Sequence, residues 1–173
     1  MRGLLFCIVA LVGAMVASGA AARSSGGSMG ADTMGDVNYL FGAWSCSTKL
    51  PAYGKQPAQT VHGTMTFAAA SSPKTISYAM HAGNYSSMGF IGWNSSRKVW
   101  WSNSVDSMGG FGSETGTAAG NVTRLAGSSM FEGQKTSSRD TITKLSQTQF
   151  RDVFELNRGG KWSMDADSTC TKQ

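Results

Sequence analysis

The chain has 173 residues, of which 15 are Lys or Arg and 10 are Asp or Glu, for a net charge of +5; 40% of it is apolar. The basic residues fall singly along the sequence, with no run of five, which speaks for a mild surface bias and against nucleic-acid binding.

Residues 1–22 have the three-part layout of a secretory signal peptide: Arg2, an uncharged apolar run from Leu4 to Ala17, and small residues ending in Ala20-Ala21-Ala22. The apolar run is shorter than the roughly 20 residues a bilayer-spanning helix needs, and no later stretch approaches that length. The mature protein is therefore expected to be soluble, without a transmembrane segment. Cys7 lies early in the run and not behind a cleavage site, which argues against a lipoprotein; it leaves with the leader. From Arg23 to Asp36 the sequence is mostly Ser, Gly, Met and Asp, a flexible arm before a single domain at 37–173.

Within that domain helix spacing is almost absent. Short runs of Val, Ile, Thr, Phe, Tyr and Trp predict strands near 39–49, 59–69, 75–82, 86–94, 97–106, 111–119, 121–131, 134–145, 148–157 and 161–172. The breaks, such as "NSSRK", "AAGN", "FEGQK", "LSQTQ" and "NRGGK", are short enough for hairpins, so sequence neighbours pair as an antiparallel meander. Eight to ten such strands, with 22 Gly for bends, most simply close into one all-β up-and-down barrel, which removes both sheet edges.

Alternation along each strand assigns an inner face. It takes Leu40, Trp44 and Cys46 from the first strand, and Val61, Met65 and Phe67 from the second, with His62 outside. Ile76, Tyr78 and Met80 follow, with His81 outside. Then come Val99, Trp101 and Val105, which leaves Trp100 outside as a possible partner surface. Phe150, Asp152, Phe154 and Leu156 share a face, as do Trp162, Met164, Ala166 and Cys170. After export two cysteines remain, Cys46 and Cys170, and an oxidising compartment favours their one possible intramolecular disulfide. First and last strands are neighbours in such a barrel. Setting Cys46 opposite Cys170 sets Trp44 opposite Lys172, a cation–π arrangement at the barrel end.

Gly42, Trp44 and Lys172 together resemble the hallmark of the calycins, the lipocalins and their relatives: a Gly-x-Trp in the first strand under a basic residue of the last. More closely, the chain is similar to a family of secreted bacterial proteins of unknown function with a lipocalin-like domain. The matching segments are Tyr39–Cys46, Val105–Gly110, Arg139–Lys144 and Lys161–Cys170, spanning 38–172. The resemblance implies a β-barrel and a bacterial periplasm, where the acceptor sequons at Asn84, Asn94 and Asn121 would stay unmodified. It brings no activity with it.

Catalysis needs a nucleophile, a base and an orienting group in reach, and the two histidines both face outward. No Gly-x-Ser-x-Gly elbow or His-Glu-x-x-His occurs. Met65, Met80 and Met88 with His62 and His81 could offer Cu(I) ligands, but Met65 and Met80 face away from the histidines and read as packing. No metal and no cofactor, haem included, is expected. With "KLSQTQ" as a turn, pairing Thr141 with Asp152 sets Arg139 on the inner face, diagonal to Asp152 and beside Phe150 and Phe154. That pair either anchors a ligand's polar end or is a structural ion pair, and a register one residue different would put Arg139 outside. The leading expectation is non-catalytic binding of a small apolar or amphipathic molecule in the barrel. Val61, Met65, Tyr78, Trp101, Phe150 and Phe154 would form the walls, and Arg139 and Asp152 the polar contact. The alternatives are a filled barrel serving as a structural or interaction module and, third, an enzyme.

Overall fold

The computed structural model describes residues 34–131 and 133–173; the expected leader at 1–22, Cys7 and most of the arm at 23–36 lie outside the described residues. Ten strands follow one another: β1 (Gly42–Leu50), β2 (Gln59–Ala69), β3 (Thr75–Ala82), β4 (Tyr85–Asn94), β5 (Val99–Asp106), β6 (Phe111–Ala119), β7 (Val122–Phe131), β8 (Gln134–Lys144), β9 (Gln149–Arg158) and β10 (Lys161–Lys172). Each pairs antiparallel with its sequence neighbours, and β10 returns to β1, so the sheet is a closed up-and-down barrel. Tight turns make this possible. Gly159 and Gly160 join β9 to β10 with φ of 61° and 84°, the left-handed pair that a two-residue hairpin turn needs to match strand twist.

The seam forms as the two cysteines require. Cys46 lies opposite Cys170, the Cα atoms are 4.1 Å apart, and a disulfide joins them across a sequence separation of 124. Trp44 lies opposite Lys172, whose ammonium sits 5.4 Å from the indole centroid. No helix among the described residues is long and apolar enough to cross a membrane.

Three readings of the inner face are corrected. First, β1 begins at Gly42 and not at residue 39: Met34–Leu40 is a 3-10 helix that tucks Val37, Tyr39 and Leu40 into one barrel end. The Trp44 indole N–H donates to the Leu40 carbonyl at 2.6 Å and the Lys172 ammonium to the Tyr39 carbonyl at 3.2 Å. Those bonds hold the chain back over the barrel end. Gly42 makes the corner at φ 116°, where a Cβ would crowd the Lys172 side chain at 3.2 Å.

Second, Trp100 faces in at 1% exposure and Trp101 faces out. Trp100 lies opposite Trp93 on one side and Gly116 on the other, while the Trp101 ring covers Gly92, where a Cβ would come within 2.4 Å of it. The apolar alternation misleads because the true inner face of β5 continues as Ser102 and Ser104, and Val105 is 52% exposed outside. Third, a bulge between Met164 and Ala166 turns Trp162 and Met164 outward.

The helix end of the barrel is solid. Leu40, Trp44, Met65, Phe67, Ile76, Trp100, Leu125 and Phe150 pack there with almost no exposure. Trp44 meets Phe150 edge-on at 4.8 Å. Replacing both cysteines of the seam by Ala lowers stability in urea by roughly 2–4 kcal/mol, since the bond closes nearly the whole domain. A midpoint within error of the unmodified protein would show that the seam holds without it.

Candidate functional site

The register between β8 and β9 decides which charges enter the barrel. Ile142 lies opposite Asp152 and Arg139 opposite Glu155, so the expected pairing of Thr141 with Asp152 is off by one. The cause is the turn. Ser146–Thr148 forms a three-residue loop in which the Gln149 carbonyl accepts from the N–H groups of both Leu145 and Ser146. Arg139 is therefore on the outer wall. Its guanidinium donates to Glu155 at 2.6 and 2.7 Å and lies 4.5 Å from the Trp162 ring centroid. That neighbour lowers the Glu155 carboxyl, chiefly through the hydrogen bonds. As an exposed pair it adds little stability.

The slip that puts Arg139 outside puts Asp140 inside, diagonal to Asp152 across Ile142 and Phe154. Both side chains face the interior and are partly exposed there, with the Oδ1 atom of each enclosed. Burial pushes Asp140 well above the ordinary carboxylate range, reinforced by the charge of Asp152 and by the hydrogen bond between the two. Asp152 is raised by burial too, while its hydrogen bond with Asp140 works against that. The two carboxyls hydrogen-bond to each other and titrate as one pair, raised by burial. Each carboxyl still has an unpartnered oxygen, Oδ1 of Asp140 and Oδ1 of Asp152.

Neighbouring polar groups are already satisfied. The Ser138 hydroxyl on β8 donates to Glu114 on β6 at 2.5 Å, reaching past Gly127 of β7, which lies between them in the register. Burial raises Glu114, and that hydrogen bond pulls it back. The Tyr78 hydroxyl bonds Ser104 in the same way past Gly89, where a Cβ would come 2.9 Å from the tyrosine oxygen. Burial raises the Tyr78 hydroxyl strongly. Thr48 and Ser168, beside Asp152 across the seam, share a hydrogen bond of 2.8 Å. None of the ion pairs found among the described residues involves Asp140, Asp152 or Glu114.

Beyond this carboxyl layer several inner side chains are less completely buried. Val61, Tyr78, Met80, Tyr85 and Phe154 face inward in a closed barrel yet remain partly exposed, while Leu156 beside them is buried. Partial exposure on an inner face means open space. Of the expected wall residues, Val61, Tyr78 and Phe154 line this hollow, Met65 and Phe150 belong to the solid end, and Trp101 is outside. Sequence reading missed Asp140 and Glu114. The signal for Asp140 was present in "RDTITK", where it shares a phase with Ile142. His62 and His81 are exposed on the outer face, and no three His, Cys, Asp or Glu among the described residues are grouped to hold a metal. A groove of about 380 Å³ lined by Phe111, Ser113, Ser128, Met130 and Lys135 opens on the wall of β6 to β8. Lys135 is its only ionisable group, so the interior layer is the stronger candidate site.

No family model and no curated protein matches the chain. Among solved structures it is similar to Rv2717c from M. tuberculosis, with a TM-score of 0.60 and 13% identity over 79% of this chain and 94% of that one. It is also similar to the redesigned β-barrel mFAP0 bound to DFHBI, with a TM-score of 0.45 and 16% identity over 78% and 99%. At 13% identity the likeness to Rv2717c is one of fold alone.

An acid held above its unfolded value near 3.8 keeps its proton in the folded state after the unfolded chain has lost it. Stability therefore falls as pH rises past that value, and the penalty is absent below it. Asp140→Asn removes the penalty: the melting temperature rises by a few degrees at about pH 8 and is unchanged at about pH 3. Equal melting at both pH values would show that Asp140 is not held neutral.

Proposed function

We propose that this protein is an exported, secreted or periplasmic, non-catalytic carrier that holds a small apolar or amphipathic molecule in the barrel. The ligand enters at the end opposite the 3-10 helix. The single observation that carries this reading is that Val61, Met80, Tyr85 and Phe154 face inward in a closed barrel and yet remain partly exposed. Small-molecule sites combine such apolar walls with a few polar anchors. Val61, Tyr78, Met80 and Phe154 supply the wall. The polar contact narrows to Asp152 with Asp140, and Arg139 drops out. Export is supported by the leader-like residues 1–22 and by a disulfide of the sort that persists in oxidising compartments.

One observation favours the interaction-module reading instead. Met88, Val105 and Phe111 lie side by side on the outer face of β4, β5 and β6, each more than half exposed at 60%, 52% and 57%. Nile red titration separates the two. The carrier takes up one equivalent with a blue shift, Met80→Trp weakens uptake by roughly tenfold by filling the hollow, and Arg139→Met leaves it unchanged. No uptake of Nile red, with no small molecule copurifying from the native host, would sink the carrier reading.

A further inference from the structure

We infer that the ligand's polar end is an organic cation, a protonated amine or a similarly compact N–H-rich group, seated on Asp140 and Asp152. The inference rests on the carrier reading and sharpens it. Asp140 and Asp152 face the barrel interior, and each keeps an enclosed oxygen without a hydrogen-bond partner. A stranded buried acceptor is expensive, and the surrounding structure offers it no relief. Tyr78 is committed to Ser104, Ser138 to Glu114, and Thr48 to Ser168. What the site lacks is a donor, so a ligand head that completes it brings N–H groups.

The charge balance selects a cation over a neutral donor. Glu114 adds a third carboxyl to the layer, and Tyr78 and Tyr39 are close enough for the aspartate charges to raise their hydroxyls. Around the pair β10, β1, β5 and β8 present the neutral Ser168, Thr48, Ser104 and Ser138, and β7 presents Leu125 and Thr123. The basic side chains are engaged elsewhere. Arg139 and Arg151 bind Glu155 and Asp167 outside, Lys144 sits over the Tyr39 ring, and Lys172 sits over Trp44. An amphiphile with an anionic head would meet carboxyls with no counter-charge. An ammonium would take over the role of a proton on the pair, with its tail lying along Met80, Phe154 and Val61. Its binding then releases that proton to solvent, and affinity climbs with pH while the amine itself stays protonated.

The test is a matched series of decylamine, decanol and decanoate, read by Nile red displacement and calorimetry at about pH 8. Decylamine binds at least roughly tenfold more tightly than decanol, decanoate binds least, and only decylamine releases a proton in buffers of differing ionisation heat. The double variant Asp140→Asn with Asp152→Asn keeps decanol binding and loses the preference for the amine. Should that variant fail to fold, the native series and the proton release decide alone. Decanol or decanoate equal to or tighter than decylamine would overturn the inference and leave the carrier intact. No binding of any member, together with no uptake of Nile red, would remove both.

Discussion

Pairing between β1 and β10 turns a ten-stranded meander into a container, and the interior described above exists only because of it. The seam is held three times over: by the backbone ladder, by the Cys46–Cys170 bond, and by Lys172, which reaches the Trp44 ring and the Tyr39 carbonyl together. The last contact links closure of the wall to closure of the floor. The same lysine that marks the seam holds the 3-10 helix over the barrel end. Trp44 does the matching work from inside through its bond to Leu40.

With one end packed by large rings, the rest of the interior is more polar. Glycine is the device that arranges it. Gly89 and Gly127 each stand between two hydrogen-bonded side chains, so Tyr78 and Ser138 lie along the wall and not across the lumen. The result is a lined space with a carboxyl layer at its base. That layer costs stability as pH rises, because burial holds both acids above their unfolded values.

Strand order, closure and the seam were legible because they rest on local signals: turn residues, β-branched runs, and two cysteines in phase with their strands. The inner face was legible only where it is apolar. On β2 and β3 the alternation of Met65, Phe67, Ile76 and Tyr78 gave the right phase. On β5 it failed, since Trp100 shares its face with Ser102 and Ser104 while Val99 and Val105 lie outside. The carboxyl pair was half seen: Asp152 was placed inside and its partner misassigned. Register across a hairpin depends on loop geometry, and "LSQTQ" does not announce a three-residue loop. The bulge at Met164–Ala166 is likewise silent in sequence, because a bulge is a backbone event that any polar pair of residues tolerates.

The loop Ser146–Thr148 has a consequence beyond this chain. It chooses between two adjacent residues of opposite charge, Arg139 and Asp140, and so sets the sign of the charge facing the lumen. A deletion or insertion of one residue at that exposed corner would reverse the sign without altering any lining codon, at the expense of Ile142's burial. Within such a lineage, the charge facing the lumen can diverge through indels on the outside of the barrel. Comparing lining residues alone would not detect the change.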